Sequence, residues 1–384
     1  MEPANDRLSE LDGLRGLAAV VVVAQHLVHA RYNTESVGPP WLNSYATSWL
    51  GIFSDGRAAV IVFFVLSGFV LSLPWMNGRP PAYRPYLVKR VCRIWIPFVI
   101  ALTVATLLKI GLYHGPPRHL SCYMTSIFTD PASFRSFATQ ALLVVVMSEQ
   151  QYNPVSWSLV YEMQISLIFP ILMMGIARRS AWTIAGVGLA LASLGTIGLA
   201  KLMSRPDCQW TGGYLWTVTY LCPFLIGAAM AKGRAWIARC PWWLSLAIGA
   251  ACIDYRIDLP SSPRGVPLHL ILEVTGAAAL IASALADGPF RRLLRSRPVD
   301  QIGRWSYSLY LYHVLLMLAV MTIGDGWLPF WGLAMIVVTL CLPLAWAGYE
   351  CIEVPAIQLG KWLTRNRGEP AGIPIDRFSN EIPR

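Results

Sequence analysis

Charge is scarce in this chain of 384 residues: Asp, Glu, Lys and Arg together make up 14%, against 55% hydrophobic types. So little polar surface cannot clothe a water-soluble globule, which excludes that class and leaves an integral membrane protein. Acidic residues are the scarcer sign, 21 against 31 basic, for a net charge of +10. In a soluble protein that surplus would suggest nucleic acid. Here the basic residues cluster in short loops between apolar runs, where they set topology, and no nucleic-acid partner is expected. The 8 cysteines form no CxxC and no paired metal-ligand spacing, so no metal is implied; most lie in or beside apolar runs as small fillers. No inverted internal repeat of the transporter kind is visible. No basic stretch feeds a short apolar core and a small-residue cleavage site at the start, so residues 1–10 read as a cytosolic tail rather than a signal peptide. After Glu350 there is no long apolar run, and residues 351–384 are expected to be a flexible cytosolic tail with no second folded domain.

What the chain does have is long apolar stretches. Runs near twenty residues fall at 11–31, 57–76, 94–113, 157–177, 181–200, 213–232, 241–254, 268–287, 304–323 and 328–350. The expected fold is therefore all-α, with about ten transmembrane helices and both termini cytosolic. The stretch from Phe134 to Met147 is too short to span and reads as a re-entrant or interfacial helix. With ten spans, the basic groups at Arg79 to Arg93, Arg178 and Arg179, Lys232 to Arg239, Arg291 to Arg304 and Lys361 to Arg367 all fall on the cytosolic side. An eleventh span would put most of them outside. The same topology places Cys122 and Cys208 in exterior loops, the pair suited to a disulfide if that compartment is oxidising.

The first run, RLSELDGLRGLAAVVVVAQHLVHARY, carries Arg15 and His26 eleven residues apart. That is about three turns, so both side chains lie on nearly one helix face, roughly 16 Å apart along the axis. Ionisable groups inside a bilayer are costly and normally turn toward a functional interior. At the cytosolic end YLVKRVCRIWIP brings Arg90 and Arg93 to neighbouring helix positions, and with Arg15 they make a site for a phosphorylated ligand. Glu162, about two turns into a span entering from outside, is expected in the outer third beside His26, where it would orient the imidazole of a general base. Plainer readings exist for each. His26 could be a satisfied core histidine, Arg90 and Arg93 topology charges, Glu162 the partner of a structural arginine, and His313 a packing residue.

The Arg15 to His26 spacing resembles the signature of the acyltransferase-3 family of membrane O-acyltransferases. Further stretches are similar to family markers in the same order: VFFVLSGFVLSLP from Val62, YLVKRVCRIWIPF from Tyr86, NPVSWSLVYEMQISLIFP from Asn153 and IGRWSYSLYLYH ending at His313. The resemblance implies a membrane-embedded acyltransferase domain over 11–350, with no permanently bound cofactor and an acyl-CoA such as acetyl-CoA as donor. It implies that His26 and Glu162 are catalytic, that Arg15, Arg90 and Arg93 hold the donor, and that Ser67, Gly68, Ser158, Ser306, Tyr307 and His313 are recurrent motif positions. Members often carry an acid just before FFxLSGF, where this chain has Ile61 and Val62. The acceptor is expected to be a hydroxyl of a surface-polysaccharide sugar, at a bacterial inner membrane. A small molecule such as a macrolide, acted on in the cytosol, is the alternative acceptor, and a non-enzymatic carrier of lipid-linked sugars is the competing class.

Overall fold

The computed structural model describes residues 8–31, 45, 48–112, 121, 127, 132–144, 152–202, 209–254 and 266–365. Cys122 and Cys208 lie outside the described residues, as do 145–147 of the expected re-entrant helix. The described elements are helical: α1 (Ser9–Arg31), α2 (Gly56–Met76), α3 (Tyr83–Leu112), α4 (Phe134–Ala141), α5 (Ser156–Ile176), α6 (Ala181–Leu202), α7 (Gln209–Lys232), α8 (Arg234–Ile237), α9 (Trp242–Asp254), α10 (Val266–Leu285), α11 (Pro289–Leu294), α12 (Arg297–Gly324), α13 (Phe330–Gly348) and α14 (Val354–Leu363). Among the described residues nine are long and apolar enough to cross a membrane, α13 and α14 counting as one. The protein is an all-α integral membrane protein. The tenth expected span is α9, with 13 residues, which packs along α10. At about 1.5 Å per residue it reaches only about 20 Å. The eight-residue α4 is shorter still; the indole of Trp95 on α3 donates to the carbonyl of Ala141 at its end.

Helices cannot be driven together in lipid by burying oil from water, so close packing does that work, and small residues permit it. α1 and α12 meet at Gly16 and Gly303, where a Cβ on Gly16 would come within 2.7 Å of the Gly303 nitrogen. α2 crosses α7 at Gly68 and Gly227, each against backbone of the other helix. Around these crossings Phe69, Phe98, Phe169 and Phe224 are among the largest fully buried side chains. At one end Glu10, buried, accepts from Arg291 at 3.0 Å and ties the start of α1 to α11.

Three helices extend past their apolar runs. α3 starts at Tyr83, so Lys89, Arg90 and Arg93 belong to the helix rather than to the loop before residue 94. α12 starts at Arg297, seven residues before the apolar run at 304–323, and takes in Asp300. α13 does not stop at Glu350: a π turn, Tyr349–Glu353, leads into α14, which packs on α3 where Gly360 meets Cys92 and Lys89. Hydropathy ends a span at its first acids, and in this chain the second of them, Glu353, is itself buried.

Candidate functional site

Helices α1, α2, α3, α5, α12 and α14 with the π turn line an open cavity of about 350 Å³. Eight of the expected residues line it: Arg15, Ser67, Arg90, Arg93, Ser158, Glu162, Ser306 and Tyr307. They arrive from five separate helices, which is what the order of the motifs along the chain requires. The basic wall is made by Arg15 on α1 and by Arg90 and Arg93, one turn apart on α3. Arg90 donates to Ser166 Oγ at 3.1 Å and lies 3.5 Å from Glu162. Arg15 and Arg93, half-buried, have no ion pair or hydrogen-bonded side-chain partner among the described residues. Tyr307 lends its ring to the cavity while its hydroxyl donates to the carbonyl of Ile94 at 2.8 Å, fixing α12 against α3.

Glu162 is not beside His26. It faces Arg90, which is the plainer of the two sequence readings. The cause is the depth at which α5 begins. Asn153, fully buried, donates to the carbonyl of Leu311 at 3.1 Å, and Leu311 lies halfway along α12, level with His313. The chain therefore turns into α5 deep in the bundle, and Glu162, six residues after the helix begins at Ser156, is carried about 9 Å further toward the arginines. Counting apolar residues starts that span at an outer surface and cannot detect a polar residue satisfied inside.

His26 has a different partner. Its Nδ1 lies 3.2 Å from Nε2 of His313 and 2.9 Å from the carbonyl of Val22. His313 is 1% exposed, and its Nδ1 meets the carbonyl of Leu309 at 3.0 Å. The two rings meet edge to face with centroids 5.0 Å apart. Neither histidine lines the cavity. Tyr310 does line it, and its ring centroid lies 6.2 Å from that of His313. Its hydroxyl is 2.6 Å from Ser158 Oγ and 3.1 Å from the carbonyl of Val155.

Tyr310 and Glu353 are among the lining residues that escaped the sequence reading. Tyr310 had a visible signal, since Ser306, Tyr310 and His313 recur at helical spacing on one face. Glu353 lay beyond the last apolar run; it is 2% exposed and accepts from Ser308 Oγ at 3.2 Å. Among the described residues no three His, Cys, Asp or Glu side chains converge as metal ligands would.

The acyltransferase domain model Acyl_transf_3 matches residues 8–350. The chain is 25% identical over 333 residues to the acyltransferase MdmB of Streptomyces mycarofaciens, covering 83% of this chain and 81% of that one. It is 26% identical over 385 residues to nodulation protein 10 of Rhizobium leguminosarum bv. viciae, covering 96% and 99%. It is 27% identical over 381 residues to the putative peptidoglycan O-acetyltransferase YrhL of Bacillus subtilis (strain 168), spanning 90% of this chain but 54% of that one. No solved structure matches. Five motifs in order, their residues gathered round one cavity and a histidine pair, and a family match over most of the length set the carrier alternative aside: the chain is an acyl-transferring enzyme of the acyltransferase-3 family.

Proposed function

We propose that this enzyme is a bacterial inner-membrane O-acyltransferase that moves an acetyl or similar short acyl group from acyl-CoA to a hydroxyl of a surface-polysaccharide sugar, carried on lipid when it is modified. The observation that carries the donor assignment is the pair Arg15 and Arg93. Guanidinium groups in a cavity that are neither ion-paired nor hydrogen-bonded to a described side chain cost free energy that an anionic ligand recovers, and they take phosphates bidentately. The CoA phosphates bind at that wall, with Glu162 holding Arg90 in place. The pantetheine arm runs between α2 and α12, past Ser67, Ser158 and Ser306, toward Tyr310. His26, which meets His313 beside Tyr310, is the base. It removes the proton from the acceptor hydroxyl as that oxygen attacks the thioester carbon; the C–S bond breaks, and the imidazolium returns the proton to the leaving thiolate. The shared motifs and relatives named O-acetyltransferase support the reading.

The test is CoA affinity of the protein in nanodiscs. The Arg90→Ala, Arg93→Ala double variant is expected to bind at least tenfold more weakly, and Arg93→Lys to be intermediate, because it keeps the charge and loses the bidentate geometry. Unchanged affinity in the double variant would reassign both residues to topology. The orientation is tested separately. An impermeant maleimide applied to intact spheroplasts after reduction is expected to label Cys122 and Cys208 and to spare Cys92 and Cys240. Labelling of Cys240 instead would turn the middle of the chain over.

A further inference from the structure

The two ends of the cavity differ in exposure. At one, Arg304 is exposed and Arg15, Arg90 and Arg93 are half-buried; at the other, Val60, Phe64, Ser158, Leu159 and Tyr310 are each 2–5% exposed. The mouth therefore lies at the arginines and the closed end at Tyr310. On α2 the lining residues run from Val60 to Leu73, about 20 Å along the axis. A volume of about 350 Å³ spread over that length admits one extended chain and no more. A pantetheine arm entering past the arginines takes up most of it, so what remains for the acyl group is the closed end.

That end is apolar although two hydroxyls stand in it. The hydroxyls of Tyr310 and Ser158 lie 2.6 Å apart and meet the carbonyl of Val155 at 3.1 and 3.3 Å, so they are bonded to each other and to the backbone. What is left to face a ligand is carbon, from Val60, Phe63, Phe64, Leu159 and the Tyr310 ring. Most of this wall cannot give way. The ring of Phe64 packs 5.4 Å from those of Tyr220 and Phe224 on α7, and Phe224 is fully buried. Phe63 differs in being half-buried, and its ring meets Tyr310 of the facing helix edge to face, with centroids 5.8 Å apart. A chain cannot pass between two rings in contact. We infer that Phe63 sets the length of the acyl group: with Tyr310 it closes the cavity behind an acetyl or propionyl group and excludes longer chains. This rests on the reading of the donor as acyl-CoA. With the phenyl ring removed, the space opens toward Val60, one turn away on α2, and each further methylene that enters it strengthens binding about fourfold.

The measurement is binding of CoA, acetyl-CoA, butyryl-CoA and hexanoyl-CoA to the full-length protein in nanodiscs, and it needs no acceptor. Binding to protein-free nanodiscs is subtracted, because a longer tail also partitions into lipid. In wild type, affinity for hexanoyl-CoA is expected to lie at least tenfold below that for acetyl-CoA, with butyryl-CoA between them. In Phe63→Ala the ratio of hexanoyl-CoA to acetyl-CoA affinity is expected to rise at least tenfold. Phe63→Leu, which keeps apolar bulk, should raise the same ratio by less, and it decides the matter if the alanine variant is not recovered monodisperse. A wild type that binds the three acyl-CoAs alike, or a length profile that neither variant changes while CoA still binds, would overturn the proposal and leave the donor assignment standing. Failure of the wild type to bind CoA at all would overturn the donor reading and this proposal with it.

Discussion

Replacing His26 with Ala is expected to lower the acyl-transfer rate by about 10²- to 10⁴-fold, the range a positioned general base contributes. The imidazole of His313 is poorly placed to take over the proton. His313, the nearest imidazole, has Nδ1 bound to Leu309, and its Nε2 opens only onto the gap left by the deleted ring. The variant leaves that buried nitrogen without its partner, at a cost of roughly 1–3 kcal/mol in stability. Rates are therefore compared on the properly inserted, monodisperse fraction. CoA affinity should be retained, because the arginine wall is untouched. Wild-type turnover by that fraction would remove His26 from the mechanism.

The second large effect is on folding. A Cβ on Gly227 would lie 2.0 Å from the carbonyl oxygen of Val65 and 2.6 Å from the nitrogen of Phe69; one on Gly68 would lie 1.9 Å from the carbonyl of Phe224. These are backbone atoms of a facing helix, with no flexible side chain to give way, so α2 and α7 must separate. Overpacking commonly costs about 1–3 kcal/mol, and backbone against backbone belongs at or above the top of that range. Gly227→Leu should abolish recovery of monodisperse protein. Gly186→Leu on α6, where nothing lies within 4 Å of the added Cβ, is the control and should behave as wild type. Equal thermal stability of the two variants would mean that the α2 and α7 crossing is not held by this contact.

The parts of the site that could be read from the sequence were those set by one helix. Arg15 and His26 share a face because both belong to α1, and Arg90 and Arg93 are a turn apart wherever α3 goes. The bundle was legible for the same reason, since apolar length is a local property. What failed depended on a second helix. Glu162 was placed by counting from a presumed surface, and Asn153, satisfied by Leu311 inside the bundle, moves that origin. His313 belongs to a motif in the sequence, yet nothing local to α12 reveals that Gly303 brings it to the level of His26. Glu353 was hidden because an acid ends a hydropathy window whether or not Ser308 meets it.

Tyr310 has its hydroxyl held by Ser158 and by the carbonyl of Val155, so it joins α12 to the start of α5. Its ring lines the cavity and also meets the ring of His313, with centroids 6.2 Å apart. Loss of the hydroxyl would release α5 from α12 at the cavity wall, so one side chain couples the width of the cavity to the setting of a buried imidazole.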